Sequence, residues 1–115
     1  MRMNYHGKVF RPLNNTPNGE VNGETRFVYR QKDAVLEASY SGGGIKSGQM
    51  VGLVFDDGRL EFLYQHLTDD LQLRSGRCES RPELLADGRV RLHETWQWSN
   101  GDLSEGHSVV EEVRE

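Results

Sequence analysis

Turn signals divide this chain at short intervals. Asn18-Gly19, Asn22-Gly23, Asp57-Gly58, Asp87-Gly88 and Asn100-Gly101 are dipeptides that favour positive φ and tight type I′ hairpins. Lys32-Asp33 and Asp69-Asp70 are weaker punctuation of the same kind. Between them lie short segments rich in aromatic and β-branched residues, and nowhere does a 3.6-residue apolar period persist. Strands are expected at Tyr5–Phe10, Thr25–Gln31, Ala34–Tyr40, Gly44–Phe55, Arg59–Leu67, Leu71–Ser80, Arg89–Trp98 and Leu103–Val113. Arg81-Pro82-Glu83-Leu84-Leu85 reads as a loop, with a single helical turn opened by Pro82 as the alternative.

Strands joined mostly by short turns predict an all-β, antiparallel up-and-down meander of about eight strands. Such a meander has exposed edges unless it closes, so a closed or nearly closed small barrel is expected over residues 1–115 as a single domain. An open, strongly bent sheet or a two-sheet sandwich is the other arrangement. Gly42-Gly43-Gly44, Gly48, Gly52, Gly76 and Gly106 fall in or beside strands, where glycine permits bends and close approach. Gly42-Gly43-Gly44 itself is expected at a sheet corner. Arg11–Glu24, rich in Asn, Gly and Pro, is expected to be a mobile loop.

Composition narrows the partners. A net charge of −4 without any run of Lys or Arg argues against a nucleic-acid backbone binder. The longest apolar run, Val51–Phe55, is far too short for a membrane span. The start of the chain has no apolar signal-peptide core, and Cys78 is the one cysteine. A cytoplasmic protein, monomeric or weakly dimeric, is the expectation.

The clearest alternation runs through Arg89–Trp98. Val90, Leu92, Glu94, Trp96 and Trp98 share one face, against Arg89, Arg91, His93, Thr95 and Gln97. Glu94 breaks the apolar pattern, and a carboxylate left dry and unpaired costs several kcal/mol or more. In the neighbouring segments Leu60, Phe62, Tyr64 and His66 share a face, as do Ala34, Leu36, Ala38 and Tyr40, and Phe27 with Tyr29. The phase of Leu71–Ser80 stays open, because Leu71 and Leu73 oppose Cys78 unless a bulge at Ser75-Gly76 reconciles them.

Where these faces converge they enclose aromatic walls with a few polar groups, the usual make-up of a small-molecule site. Tyr40, Tyr64, Trp96 and Trp98 are the candidate walls for an apolar or aromatic ligand, with Glu94 and His66 as polar anchors. The same aromatics serve equally as core filler. Glu94 paired with an inward Arg such as Arg74, or with a Tyr hydroxyl, would be a structural network.

Signals for chemistry are sparse. His6, His66, His93 and His107 show no metal-ligand spacing, and His93 and Glu94, adjacent on a strand, point to opposite faces. No Gly-x-Ser-x-Gly elbow or phosphate-cradling loop with its Lys-Ser/Thr ending occurs, and Cys78 reads as a small buried hydrophobe. No cofactor or metal is expected, and no catalytic residues are assigned. Acid–base catalysis by Glu94, assisted by His66 or Tyr64, is the enzymatic alternative. A third alternative is a protein-interaction or self-association module that exposes some of Phe55, Leu63 or Trp98 in one apolar patch.

Taken together, Asn4-Tyr5-His6-Gly7-Lys8-Val9-Phe10, Tyr40-Ser41-Gly42-Gly43, Gly76-Arg77-Cys78, Arg81-Pro82-Glu83-Leu84 and above all Arg91-Leu92-His93-Glu94-Thr95-Trp96-Gln97-Trp98 resemble a group of short, uncharacterised bacterial proteins. The resemblance covers nearly the whole chain and implies a small avidin- or lipocalin-like barrel. Members are often labelled N-acetylglutamate synthase, so that activity is implied as an alternative. No catalytic residues transfer with it. Acetyl transfer from an acyl-CoA normally uses an α/β domain whose pyrophosphate-cradling loop opens a helix, and neither is spelled out in these residues.

Overall fold

The computed structural model describes residues 3–15 and 22–114, and every regular element among them is a strand. In chain order these are β1 (Val9–Asn15), β2 (Arg26–Lys32), β3 (Val35–Gly42), β4 (Ile45–Val54), β5 (Leu60–Thr68), β6 (Leu73–Leu84), β7 (Val90–Trp98) and β8 (Glu105–Glu112). Each pairs antiparallel with the next, and β8 returns to β1, giving a closed barrel in strand order β1-β2-β3-β4-β5-β6-β7-β8. Closure satisfies the edge groups that an open meander would leave unpaired.

Pairing register stacks the inward residues into rows. One row runs Phe27, Tyr40, Gly48, His66, Arg74, and the next runs Tyr29, Ala38, Met50, Tyr64, Gly76, Trp98. A third carries Leu36, Gly52, Phe62, Cys78, Trp96 and Gly106, and a fourth Val54, Leu60, Ser80, Glu94 and Ser108. Glycine and large aromatics therefore face one another directly across strands: Gly48 with Tyr40, Gly76 with Tyr64, Gly106 with Trp96. A Cβ at Gly48 would overlap the Tyr40 ring, and one at Gly76 would overlap the Tyr64 phenol. Small beside large is what lets a narrow barrel hold this many rings.

The end that carries the β2–β3, β4–β5 and β6–β7 turns is filled. Tyr5, Phe10 and Tyr29 are buried there with ring centroids 4.7–6.5 Å apart. The Tyr5 hydroxyl donates to the Gly58 carbonyl at 2.6 Å, tying the segment before β1 to the β4–β5 turn. The two Asp-Gly-Arg copies build the same turn. Asp57 and Asp87 each accept from the backbone N–H two residues on, at 3.1 Å, and each pairs with that residue's guanidinium. Only Gly58 and Gly88 have positive φ in these turns, +91° and +88°. The expected type I′ geometry needs two such residues, so these are longer turns closed by one left-handed glycine. Asn100-Gly101 likewise has positive φ at the glycine alone, and Asn18-Gly19 lies outside the described residues.

Several boundaries differ from the sequence reading. The first strand begins at Val9 rather than Tyr5, because Gly7 (φ +81°) turns the chain and Lys8 N–H donates back to the Tyr5 carbonyl. Residues 11–15 belong to β1 rather than to a loop. Pro12 is accommodated at a register shift between Pro12 and Asn14 in the β1–β8 pairing, where a missing N–H is tolerated. The rest of the expected loop, residues 16–21, lies outside the described residues. At the other long element, β6 continues through Arg81–Leu84, where a loop was expected. Its pairing runs without a bulge at Ser75-Gly76, so Arg74, Gly76, Cys78 and Ser80 face inward while Leu71 and Leu73 are exposed. Gly42, Gly43 and Gly44 all have positive φ and form the β3–β4 turn, as their corner role requires.

Side chains reinforce the seam where the barrel closes. On its outer wall Glu111 is covered by Arg91 at 2.9 Å, Arg89 at 3.3 Å and Arg11 at 3.8 Å. On the inner side Glu112 accepts from the Val90 N–H at 3.0 Å and pairs with Lys8 at 3.2 Å.

Candidate functional site

All six candidate residues point into the barrel, on two levels. Tyr40, Tyr64, His66 and Trp98 occupy the rows nearer the open end, and Trp96 and Glu94 the rows beneath. The upper rings meet edge to face: Tyr64 with Trp98 at 5.6 Å, His66 with Trp98 at 5.8 Å, Tyr40 with His66 at 5.6 Å. Trp96 and Trp98 are tilted against each other at 5.5 Å. Such contacts are the favourable geometry for π systems. They also hold the walls rigid.

His66 does not reach Glu94. Its Nδ1 lies 2.8 Å from the Tyr40 hydroxyl, which also donates to the Gln65 carbonyl at 3.2 Å. A phenol has one proton, so the imidazole tautomer decides whether Tyr40 donates to Nδ1 or accepts from it. The expected partner of Glu94, Arg74, is also engaged elsewhere. Its guanidinium stacks over the Trp98 ring at 4.1 Å, at the rim of the barrel. Beside it a cavity of about 470 Å³ is lined by Gly48, His66, Arg74 and Asn100 together with the outward-facing Ser47, Gln49, Gln65, Leu67, Leu73 and Ser75, so it lies on the outer face of β4–β6 near the rim. Of the six candidates, His66 alone borders this rim cavity.

Glu94 is held by its two cross-strand neighbours. Ser80 Oγ donates to Oε2 and Ser108 Oγ to Oε1, each at 3.1 Å. Burial pushes the carboxyl from its ordinary 4.5 up to about 7, against the opposing pull of hydrogen bonds from Ser108, Ser80 and the Cys78 thiol. No cation contributes. As a residue Glu94 is of intermediate exposure, as is Tyr64, but its carboxyl is dry enough for burial to dominate its titration.

A further group belongs to the cluster. The Tyr29 hydroxyl is fully buried without a hydrogen-bond partner among the described residues, and it lies close enough to feel the Glu94 charge. Burial first, then that charge, drives its phenol well above its ordinary value. An orphaned buried hydroxyl is costly and calls for something to bond. Ser80, Ser108 and Tyr29 were absent from the candidate set. Tyr29 was legible as an inward residue, but the serines become neighbours of Glu94 only through strand register.

Cys78 is buried and free, with its thiol pushed well up by burial first and by the Glu94 charge second. Among the described residues no group of His, Cys, Asp and Glu has the arrangement to hold a metal ion. Of the three residues named for an exposed patch, Leu63 is exposed, Phe55 is partly covered beneath Arg59, and Trp98 is buried.

No curated protein matches the sequence. A family model described as avidin-like protein matches residues 3–113, in keeping with the closed eight-stranded barrel. The chain belongs to the avidin-like protein family.

Proposed function

We propose that this barrel binds a small molecule in its interior, with its polar part at Glu94 and its apolar body against Tyr40, Tyr64, Trp96 and Trp98. His66 stands at the upper end of that path. One observation carries the reading: a desolvated carboxylate, fixed only by Ser80 and Ser108, shares the interior with a Tyr29 hydroxyl that has no hydrogen-bond partner among the described residues. A buried carboxyl and an orphaned phenol each cost stability, and a bound group that satisfies both would repay it. The acid–base alternative has less support, since the hydrogen-bond partners of Glu94 are serines and a thiol rather than a second titratable group at neutral pH.

Uptake of the neutral fluorophore N-phenyl-1-naphthylamine tests the reading. Ala38 is buried in the row of Tyr29 and Tyr64, so Ala38→Phe fills the lumen from the wall. Uptake should be lost in this variant while its thermal unfolding stays cooperative. Uptake unchanged by Ala38→Phe would place the dye on the outer surface and end the proposal.

A second reading concerns the outer wall. Val35 with Leu53, and Val51 with Leu63, are direct cross-strand pairs on β3–β5, and all four are exposed. Glu37 borders this patch on the β3 side, and Glu61 with Arg77, an ion pair at 3.7 Å, on the β5–β6 side. An apolar patch ringed by charge in this way suits burial against the same patch of a second copy. Native mass spectrometry should show a dimer that Leu63→Lys abolishes; a monomer at every concentration excludes this reading.

A further inference from the structure

The protons around Glu94 are already committed. Ser80, Ser108 and Cys78 direct theirs at the carboxyl, and an ionised carboxylate only accepts. What the cluster still offers is acceptor capacity: the remaining lone pairs of Glu94 and the oxygen of the unpartnered Tyr29 hydroxyl. A ligand head that matches it must be rich in donors.

Charge points the same way. No arginine or lysine contributes to the electrostatics of Glu94, and Arg74 is drawn to the rim by Trp98 and Asp102. Among the described residues, then, the carboxylate has no counter-ion. Above it stand the rings of Tyr64, Trp96 and Trp98, and π faces attract cations. A carboxylate or phosphate ligand would meet repulsion at the same position.

We propose that the interior site selects an organic cation, a protonated amine carrying an apolar or aromatic body, with its ammonium between Glu94 and the Tyr29 hydroxyl and its body against the tryptophans. This rests on the interior-ligand reading above. It adds a charge preference and a pH dependence, because the site exerts its pull only when Glu94 is ionised. The other titratable groups facing Glu94 are the Cys78 thiol from β6 and the Tyr29 phenol from β2, with the Tyr5 phenol beneath. Burial pushes all three upward, away from the range in which Glu94 titrates. From β8 it faces Ser108, which does not titrate, while Glu112 is held by Lys8 at the far end and His66 by Tyr40 nearer the mouth.

Three probes of one shape separate the outcomes: 2-phenylethylammonium, 2-phenylethanol and phenylacetate, followed by the fluorescence of Trp96 and Trp98. The ammonium should bind most tightly at pH 8 and lose on the order of tenfold or more at pH 5.5, as Glu94 takes up its proton. The alcohol should change little over that range. Glu94→Gln, nearly isosteric, should level the three affinities, and Tyr29→Phe should weaken the ammonium more than the alcohol. Equal binding of the three by the unmodified protein, or tightest binding of phenylacetate, overturns the cation preference while leaving an interior site in place. Failure of all three to bind removes both.

Discussion

The phenol of Tyr64 occupies the space that any side chain at Gly76 would need. The two are directly paired across β5 and β6, and a Cβ there would meet both the phenol and the Gln97 carbonyl. Gly76→Ala should therefore destabilise the barrel by about 1–3 kcal/mol, the usual cost of overpacking. In a Tyr64→Ala background the same change should cost less, since of the three nearest atoms only the Gln97 carbonyl then remains. Urea unfolding of the four proteins gives the coupling directly, and strictly additive losses would show that the ring is not the obstacle.

Glu94 sets a pH dependence of stability with a definite sign. Its folded-state value of about 7 lies above the ordinary 4.5, so the folded state favours the protonated form. Its contribution is complete below the unfolded value and is lost as pH rises through 7. Glu94→Gln, which does not titrate, should gain on the unmodified protein between pH 4.5 and 8 by roughly 2–3 kcal/mol. Denaturant melts at the two pH values check this, and a difference independent of pH would mean that Glu94 is solvated normally.

The two matching turns differ in what surrounds them. Alanine at Gly58 or Gly88 must adopt a left-handed φ, costing roughly 1–2 kcal/mol. At Gly58 the new Cβ would also lie 3.2 Å from Pro82 Cγ, whereas at Gly88 its nearest neighbour is the Arg114 guanidinium at 3.6 Å. Gly58→Ala should thus lower the melting temperature more than Gly88→Ala, and the reverse order would show that Pro82 yields freely.

At the seam, Glu111 is held below its ordinary carboxyl value, first by the hydrogen bond from Arg91 and then by the charges of Arg89, Arg91 and Arg11. A depressed value stabilises the fold above the unfolded pKa, and that gain disappears as pH falls through the folded one. Glu111→Gln should cost roughly 1 kcal/mol at pH 7, since its arginine partners remain partly in water, and progressively less in acid. Equal losses at pH 7 and pH 3 would assign the effect to packing instead.

Much of this barrel is legible in its sequence because its information is local. The Asp-Gly and Asn-Gly dipeptides mark the turns, and period-two alternation assigns Val90, Leu92, Glu94, Trp96 and Trp98 to the interior without reference to other strands. The first strand is misplaced because Gly7 closes a local turn onto Tyr5 that alternation does not reveal, and because Pro12 acts through a distant partner, the β1–β8 bulge. Extension of β6 through Arg81–Leu84 is hidden for the same reason, since Pro82 reads as a strand breaker and only pairing with β7 shows that it is accommodated. The site divides likewise. That Glu94 faces inward can be read from one strand; that Ser80 and Ser108 flank it requires the registers of three.

β1 is bound unequally to its two neighbours. It meets β2 through Val9–Val28 and Phe10–Phe27, but follows β8 over five pairs from Phe10–Glu112 to Asn15–Ser108. A ribosome delivers these partners at opposite times. The earliest strand to be made must wait for the latest before most of its hydrogen bonds can form, and until then both it and β7 present open edges. Lumen closure therefore waits on β8, and any ligand-binding capacity appears only after that strand has been released.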